Sequence, residues 1–177
     1  MKGKGEQGFT LIELLVVVAI ISIIAAIAVP GLLRARMTGN ETSAIASLKV
    51  TTSSQVAYTA SCGNGSYAAN YQVLGRAPAD SGQGFISADL GKAAPILKSG
   101  YTFAMGVGDG STAGNADCNG TATISAYLAT AVPQTPGTTG TRGFAVNAGN
   151  TIWQNTAATA TAPTEPFTAS ATVNPVQ

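Results

Sequence analysis

Histidine is absent from this 177-residue chain, and cysteine occurs only twice, at Cys62 and Cys118. Without histidine, the usual zinc ligand sets and the Cys-x-x-Cys-His haem attachment motif cannot be built. The same absence removes the Ser-His-Asp and Cys-His catalytic arrangements, and the carboxylates are scattered singly along the chain. The sequence therefore predicts no catalytic residues, no enzymatic activity and no resident cofactor.

Charged residues are also scarce, since only 10% of the chain is Asp, Glu, Lys or Arg. Nine basic and eight acidic residues nearly balance, so no strongly charged partner is implied. Outside Arg34 and Arg36 there is no basic patch. The sequence therefore predicts no dedicated nucleic-acid site.

Apolar residues, in contrast, are concentrated in one run near the N-terminus. Between residues 9 and 29 only Thr10, Glu13 and Ser22 are polar. A helix of about 21 residues is ~31 Å long, which matches the hydrocarbon core of a bilayer. The run therefore predicts a membrane-spanning helix. A carboxylate inside such a span costs about 2.5 to 3.5 kcal/mol at the centre, so Glu13 is expected to have a partner.

Two ordinary interpretations compete for this segment. Residues 1–28 could be a secretory signal, with Lys2 and Lys4 as its basic region and Ala26-Ile27-Ala28 as its cleavage site. The apolar run is longer than such signals usually have, and it contains Glu13. The segment could also be a generic single-pass anchor whose Glu13 reaches the headgroups. The residues alone leave the second alternative open.

The stretch Gly8-Phe9-Thr10-Leu11-Ile12-Glu13-Leu14, followed by Pro30, resembles the N-terminus of type IV pilins and of type II secretion pseudopilins. The resemblance covers about the first 35 residues. It implies that a prepilin peptidase cleaves between Gly8 and Phe9 and that the new amine of Phe9 is methylated. The missing side chain of Gly8 would let the protease approach the backbone closely.

The resemblance also implies an assembly role for Glu13, Phe9 and Pro30. Glu13 lies one helical turn after Phe9, so it can face the Phe9 ammonium of a neighbouring, axially shifted subunit. Desolvation offsets much of the attraction, so this pair would select the register more than it stabilises the fibre. The implied partners are further copies in a helical homopolymer, the peptidase and methyltransferase, an inner-membrane assembly platform, and lipid before assembly.

Three functions are compatible with these residues. The first is a structural subunit of a type IV pilus or similar fibre, serving adhesion, motility or uptake. The second is a type II secretion pseudopilin, which shares the same N-terminus and so is not separated from the first by sequence. The third is a monomeric, membrane-anchored periplasmic binding domain. The expected location is the bacterial inner membrane in a single pass, with the head in the periplasm, followed by an extracellular pilus or a periplasmic pseudopilus.

The expected domains are a removed leader (1–8), a transmembrane and polymerisation helix (9–30), the outer half of the same helix (31–61), a globular head (62–153) and a tail (154–177). Pro30-Gly31 and Gly39-Asn40 are expected to weaken or bend the helix. Helical spacing predicts that the outer half packs against a sheet through Ile45, Leu48, Val56 and Thr59. The tail is mostly Ala, Thr and Pro, so it is expected to be extended or mobile.

Within the head, alternating patterns predict strands over residues 101–107 and 123–132 and a hairpin of residues 144–147 with 151–153. A short helix is expected near residues 88–97. The predicted fold is α+β and pilin-like, with a long N-terminal helix packed on an antiparallel sheet of three to four strands.

The two cysteines are expected to pair, because the head of an exported protein lies in an oxidising compartment. The alternative is two free buried thiols. Closing this loop would stabilise the head by roughly 4 kcal/mol through chain entropy. Asp109 and Asp117 flank a Gly- and Asn-rich turn that could offer oxygen ligands to calcium, although their spacing fits no EF-hand loop.

Overall fold

The computed structural model describes residues 8–79 and 81–176. The expected leader lies outside the described residues except for Gly8, as does Gln177 at the end of the expected tail. The elements in chain order are α1 (Leu11–Ser61), β1 (Tyr67–Ala68), α2 (Tyr71–Leu74), β2 (Ile96–Lys98), β3 (Tyr101–Val107), β4 (Thr123–Ile124), β5 (Tyr127–Pro133), β6 (Gly143–Asn147), β7 (Trp153–Asn155) and β8 (Val173–Pro175).

Six strands form one antiparallel sheet in the order β2-β3-β5-β6-β7-β8, and β1 pairs with β4 in a separate two-stranded sheet. The predicted α+β class is confirmed, with a larger sheet than the three to four strands expected. The chain divides into two compact units after Arg36.

The first unit contains the beginning of α1. Each described residue from Gly8 to Arg36 is exposed. Pro30 and Gly31 lie within the helix and do not end it. Proline removes the hydrogen bond that its own nitrogen would donate and crowds the carbonyl four residues earlier, but the hydrogen bonds on either side can keep the helix continuous.

The second unit begins with the rest of α1, which also runs through Gly39-Asn40 without ending. Its buried residues recur every three or four positions: Glu41, Ala44, Ser47, Leu48, Thr51, Ser54, Gln55 and Tyr58. The predicted packing face is right for Leu48 and wrong for Val56, whose side chain is 52% exposed.

Small and polar side chains form much of this face, because they allow close approach and find partners inside the unit. The Gln55 amide accepts a hydrogen bond from Ala68 N and donates one to Ala68 O, both at 2.9 Å. This pairing satisfies the backbone of β1 and makes a buried glutamine tolerable. Large apolar positions alone therefore did not predict which face is buried.

The strands predicted from the sequence lie in the expected places, but one of them is divided into two. Strand β3 has the predicted bounds, and β6 pairs with β7 as the expected hairpin. The strand predicted over residues 123–132 is interrupted after Ile124, because β4 pairs with β1 whereas β5 pairs with β3 and β6. One continuous apolar stretch therefore serves two sheets.

The helix expected near residues 88–97 is wrong. Gly91 and Pro95 disfavour a helix there, and the segment instead leads into β2. A tight turn joins β2 to β3 through Ser99 and Gly100, whose φ angles are 48° and 71°. The short helix α2 was missed, and its N-cap Asn70 accepts a 2.9 Å hydrogen bond from Val73 N.

The expectation of an unpacked tail differs from the structure. Strand β8 pairs with β7 at the edge of the sheet. The ring of Phe167 stacks on Trp153 with centroids 5.5 Å apart. Glu165 accepts hydrogen bonds from Asp109 N at 2.7 Å and Asn147 Nδ2 at 2.6 Å. A few well-placed contacts thus hold a segment whose average composition is poor in large apolar residues.

The sheet is covered on both faces near β6. Phe144 and Val146 are buried in the core that includes Leu48 and Tyr58 of α1. Gly143 alternates with them on the opposite face. A Cβ atom at Gly143 would collide with the carbonyl oxygens of Ala160 and Thr161. The tail therefore packs directly on the sheet backbone at this glycine.

Replacing Gly143 with alanine is expected to displace the tail and to destabilise the head by about 1 to 3 kcal/mol through overpacking. Because Trp153 is the only tryptophan and stacks on Phe167, its emission should shift to the red as the tail lifts. Gly106→Ala is the matched control, since a Cβ there meets nothing within 4 Å. Unchanged emission and unchanged hydrogen exchange over residues 156–172 in Gly143→Ala would contradict this packing.

Candidate processing and assembly site

Gly8 and Phe9 are exposed to solvent at the start of the described chain. The Phe9 side chain is 87% exposed, and a Cβ atom at Gly8 would meet nothing within 4 Å. The folded subunit itself therefore imposes no steric requirement for glycine at position 8. The expected requirement of the peptidase for Gly8 stays a prediction.

Thr10 and Glu13 form a capping box at the beginning of α1. The Glu13 carboxylate accepts hydrogen bonds through Oε2 from Thr10 N at 2.8 Å and from Thr10 Oγ1 at 2.6 Å. In return, Glu13 N donates to Thr10 Oγ1 at 3.3 Å. This reciprocal pattern satisfies backbone donors that a helix N-terminus leaves unpaired. Sequence reasoning missed this role, although Thr-x-x-Glu before an apolar run is its signature.

The apolar surface of α1 follows this cap. Its large side chains are exposed, with Leu11 at 77% and Ile27 at 76%. By length and composition this helix could cross a membrane, and none of its most apolar window is buried in the protein. A surface of this size is unfavourable in water, so it needs lipid or other protein around it.

The predicted disulfide between Cys62 and Cys118 is present, with the two Cα atoms 4.8 Å apart. Cys118 N also donates a 2.8 Å hydrogen bond to Cys62 O. One turn before Cys62, the Tyr58 hydroxyl donates to Asp117 Oδ2 at 2.8 Å. The end of α1 is therefore joined to the β3–β4 connection by a covalent bond and by neighbouring hydrogen bonds.

The Asp117 carboxylate stabilises the turn that follows it, at residues 117–121. Its Oδ1 accepts hydrogen bonds from Asn119 N at 2.9 Å and Thr121 N at 2.6 Å. Burial raises the pKa of this carboxyl, but the hydrogen bonds from Thr121 and Tyr58 outweigh burial and lower the pKa overall. Burial and the adjacent carboxylate raise the pKa of Tyr58.

The calcium hypothesis finds no support in these contacts. Both carboxylate oxygens of Asp117 already accept protein hydrogen bonds, and these are the atoms that a calcium ion would need. Asp109 contributes its backbone N to the contact with Glu165. Within residues 8–79 and 81–176, no three His, Cys, Asp or Glu side chains are grouped to hold a metal ion.

A second polar cluster surrounds Glu41, which is only 5% exposed. Its Oε1 accepts from Thr141 N at 2.7 Å and Thr141 Oγ1 at 2.9 Å, and its Oε2 accepts from Arg142 Nε at 2.8 Å. Arg142 Nη2 also lies 2.6 Å from Oε2. Burial raises the pKa of Glu41, but its bonds to Thr141 and Arg142 outweigh burial and lower the pKa overall.

Sequence reasoning missed Glu41, although a signal exists. It is the single acidic residue between Glu13 and Asp80. It also lies three and seven residues before Ala44 and Leu48, on the same helical face. A lone carboxylate on a face that packs against a sheet requires a partner of opposite charge, which here is the half-buried Arg142.

Comparison with known proteins agrees with this geometry. The chain matches the family model of the prokaryotic N-terminal methylation motif over residues 3–29. The type IV wide pilus major component PilA4 of Thermus thermophilus is 44% identical to it over 71 residues. The chain is therefore similar to type IV pilins over its N-terminal methylation motif and over part of its length. The match to this motif confirms the resemblance seen at residues 8–14.

The similarity to this pilin is partial. The aligned segment covers 40% of this chain and 53% of the relative, so the chain spans about half the length of the curated relative it matches. No solved structure matches the chain. The methylation motif ends at residue 29, so it covers the cap and much of the exposed apolar part of α1 but none of the head.

Proposed function

We propose that this protein is a structural subunit of a type IV pilus and polymerises with its own copies through the apolar part of α1. The observation that carries the proposal is the exposed apolar surface of residues 11–33, most of which lies within the residues matched by the methylation motif. The surface is too long and too apolar to remain in water. The Thermus relative is a major component of a pilus, which favours a pilus over a secretion pseudopilus.

Lipid would cover this surface before assembly, and other subunits would cover it afterwards. A helix of about 20 apolar residues fits the hydrocarbon core of the inner membrane. In a bundle of such helices, side chains that faced lipid would face neighbouring copies. Pro30 lies near the end of this segment, where a missing backbone donor is tolerated if neighbouring helices or lipid headgroups surround it.

Glu13 would serve both stages with different partners. In the single chain, its Oε2 caps the helix through Thr10, which leaves Oε1 outside this local arrangement. In the fibre, the carboxylate would face the Phe9 amine of an adjacent copy. A carboxylate that already has a local hydrogen-bond partner has a smaller free-energy cost at the edge of the bilayer. The capping box would therefore help the subunit to remain inserted in the membrane until it assembles.

Replacing Gly8 with valine tests the processing on which this function depends. Wild-type cells should carry surface filaments that can be collected by shearing. Mass spectrometry of the collected protein should show a subunit that begins at N-methylated Phe9. In Gly8→Val we expect a precursor longer by the leader, retained in the membrane, because valine blocks close approach of a peptidase to the backbone.

Gly5→Val is the matched control, since it adds the same side chain three residues earlier in the expected leader. This variant should still yield the mature Phe9 end and filaments. A wild-type N-terminus at Val29 would establish an ordinary signal peptide instead, and correct processing without filaments would support the anchored monomer.

A further inference from the structure

Within the second unit, the C-terminal part of α1 contacts the head in two different ways. From Ala44 onward the helix contributes buried residues to the apolar core, including Leu48 and Tyr58. Before Ala44, the helix makes polar contacts with the sheet loops. We name three of the described residues that make such contacts, Asn40, Glu41 and Ser43, the polar collar.

The polar collar contacts two loops at one end of the six-stranded sheet. Asn40 Nδ2 donates to Thr139 O at 2.9 Å, in the loop between β5 and β6. Glu41 accepts its bonds from Thr141 and Arg142 in the same loop. Ser43 Oγ donates to Ser99 Oγ at 2.9 Å, in the turn between β2 and β3. The polar collar is thus joined to these loops by hydrogen bonds and one ion pair.

The free-energy cost of separating the helix from the sheet is smaller at the polar collar than at the apolar core. Separating Leu48 or Tyr58 from the sheet exposes apolar surface to water, which is unfavourable for as long as the helix is detached. Separating the collar exchanges protein hydrogen bonds for hydrogen bonds to water, so the net loss is far smaller than the bond count suggests. The Arg142 side chain is already 31% exposed, so water has access to the ion pair.

Glu41 concentrates most of the attachment. Its carboxylate has four donor contacts, from Thr141 and Arg142, whereas Asn40 and Ser43 have one contact each. Among the described residues, the titratable group Tyr101 also faces this pair, and its hydroxyl donates to Arg142 O at 2.9 Å. Arg142 is also held by Gln154 through a 2.7 Å bond from Nη1. The head side of the contact would therefore stay ordered when the helix leaves it.

We propose that the polar collar is a latch that opens while the head remains folded, releasing residues 37–43 of α1 from the sheet and leaving the helix from Ala44 onward in place. Local opening of this kind draws on the weakest contacts of a structure. The released residues form roughly two helical turns and have no sheet to support them, so their backbone amides should exchange with solvent readily.

Hydrogen exchange of the mature full-length chain in detergent micelles tests the latch. Peptides covering residues 37–47 and 48–61 are compared by mass spectrometry. In the wild type, we expect faster exchange in the first peptide than in the second. In Glu41→Gln, exchange in the first peptide should rise about tenfold or more, with the second peptide unchanged. Lys49→Gln is the matched control, because it removes an exposed charge from the same helix and should change neither peptide.

A covalent lock supplies the second measurement. Ser43 Oγ and Ser99 Oγ are close enough that Ser43→Cys with Ser99→Cys should form a disulfide on oxidation. In the Glu41→Gln background, this crosslink should restore wild-type exchange in residues 37–47, and reduction should reverse it. Equal acceleration of both peptides, loss of folding in Glu41→Gln, or unchanged exchange would each overturn the proposal.

Discussion

Replacing Glu13 with glutamine is expected to leave few or no fibres when the variant is the only subunit, with normal cleavage and normal abundance in the membrane. Glutamine is the other residue that serves at this position of a capping box, so the local contact with Thr10 should persist. Only the charge is lost. The Phe9 amine of each subunit would then enter the helix bundle without its counter-charge, and an unpaired buried charge costs about 3 to 5 kcal/mol.

Thr10→Val separates the cap from the pairing. It removes the hydroxyl that donates to Glu13 Oε2 and accepts from Glu13 N, which should weaken the helix end by about 1 kcal/mol. The carboxylate remains, so fibres should still form. Glu13→Leu should match Glu13→Gln in fibre loss, because neither side chain supplies a counter-charge for the Phe9 amine. Its abundance in the membrane should be normal, because an uncharged helix inserts at least as well in lipid.

Electron microscopy of sheared material measures the result as fibre number and length, and immunoblotting of membranes measures abundance. Wild-type fibres in Glu13→Gln would refute the pairing and leave the capping box as the only role for this carboxylate. Loss of fibres in Thr10→Val alone would instead make the cap the essential feature.

Removing the disulfide is expected to lower the free energy of unfolding of the head by about 4 kcal/mol, because Cys62 and Cys118 close a long loop. Cys62→Ser with Cys118→Ser should show this loss in chemical denaturation of the mature chain in detergent. Digestion of the wild type without reductant should yield one linked peptide pair, and complete labelling of both thiols without reductant would refute the bond.

Asp117→Asn is the informative comparison at the same junction. It keeps the disulfide and removes the charge that accepts from Tyr58, Asn119 and Thr121, at an expected cost of about 1 to 3 kcal/mol. Since both changes act on one junction, the combined variant should lose less than the sum of the two losses. Simple additivity would contradict the view that the disulfide and Asp117 act together.

The predictions that succeeded rest on local patterns. The apolar run and the methylation motif at its start lie within one short stretch of the chain, so no distant residue is needed to interpret them. Strand β3 was predicted with its bounds because a run of β-favouring sequence lies between two glycine-containing turns. The cysteine pair followed from there being only two cysteines in a head expected outside the cytosol.

The predictions that failed involve partners that are far apart in sequence. The buried face of α1 contains serines, a threonine and a glutamine, and their burial is acceptable only because groups such as the Ala68 backbone face them. The tail was judged by its average composition, whereas Phe167 and Glu165 are held by Trp153 and Asn147. Spacing along one element cannot show which polar group across the fold will satisfy it.

The sequence by itself determined that this protein has an apolar membrane-length helix with one carboxylate at its start, an N-terminal methylation motif and an α+β head. These properties depend on hydrophobicity and helical spacing, which act over short stretches of chain. Only the tertiary structure decided that Glu41 pairs with the distant Arg142, and that the tail covers β6 at Gly143. Such contacts form where packing brings distant groups together, because a buried charge or a bare backbone position is favourable only beside its specific partner.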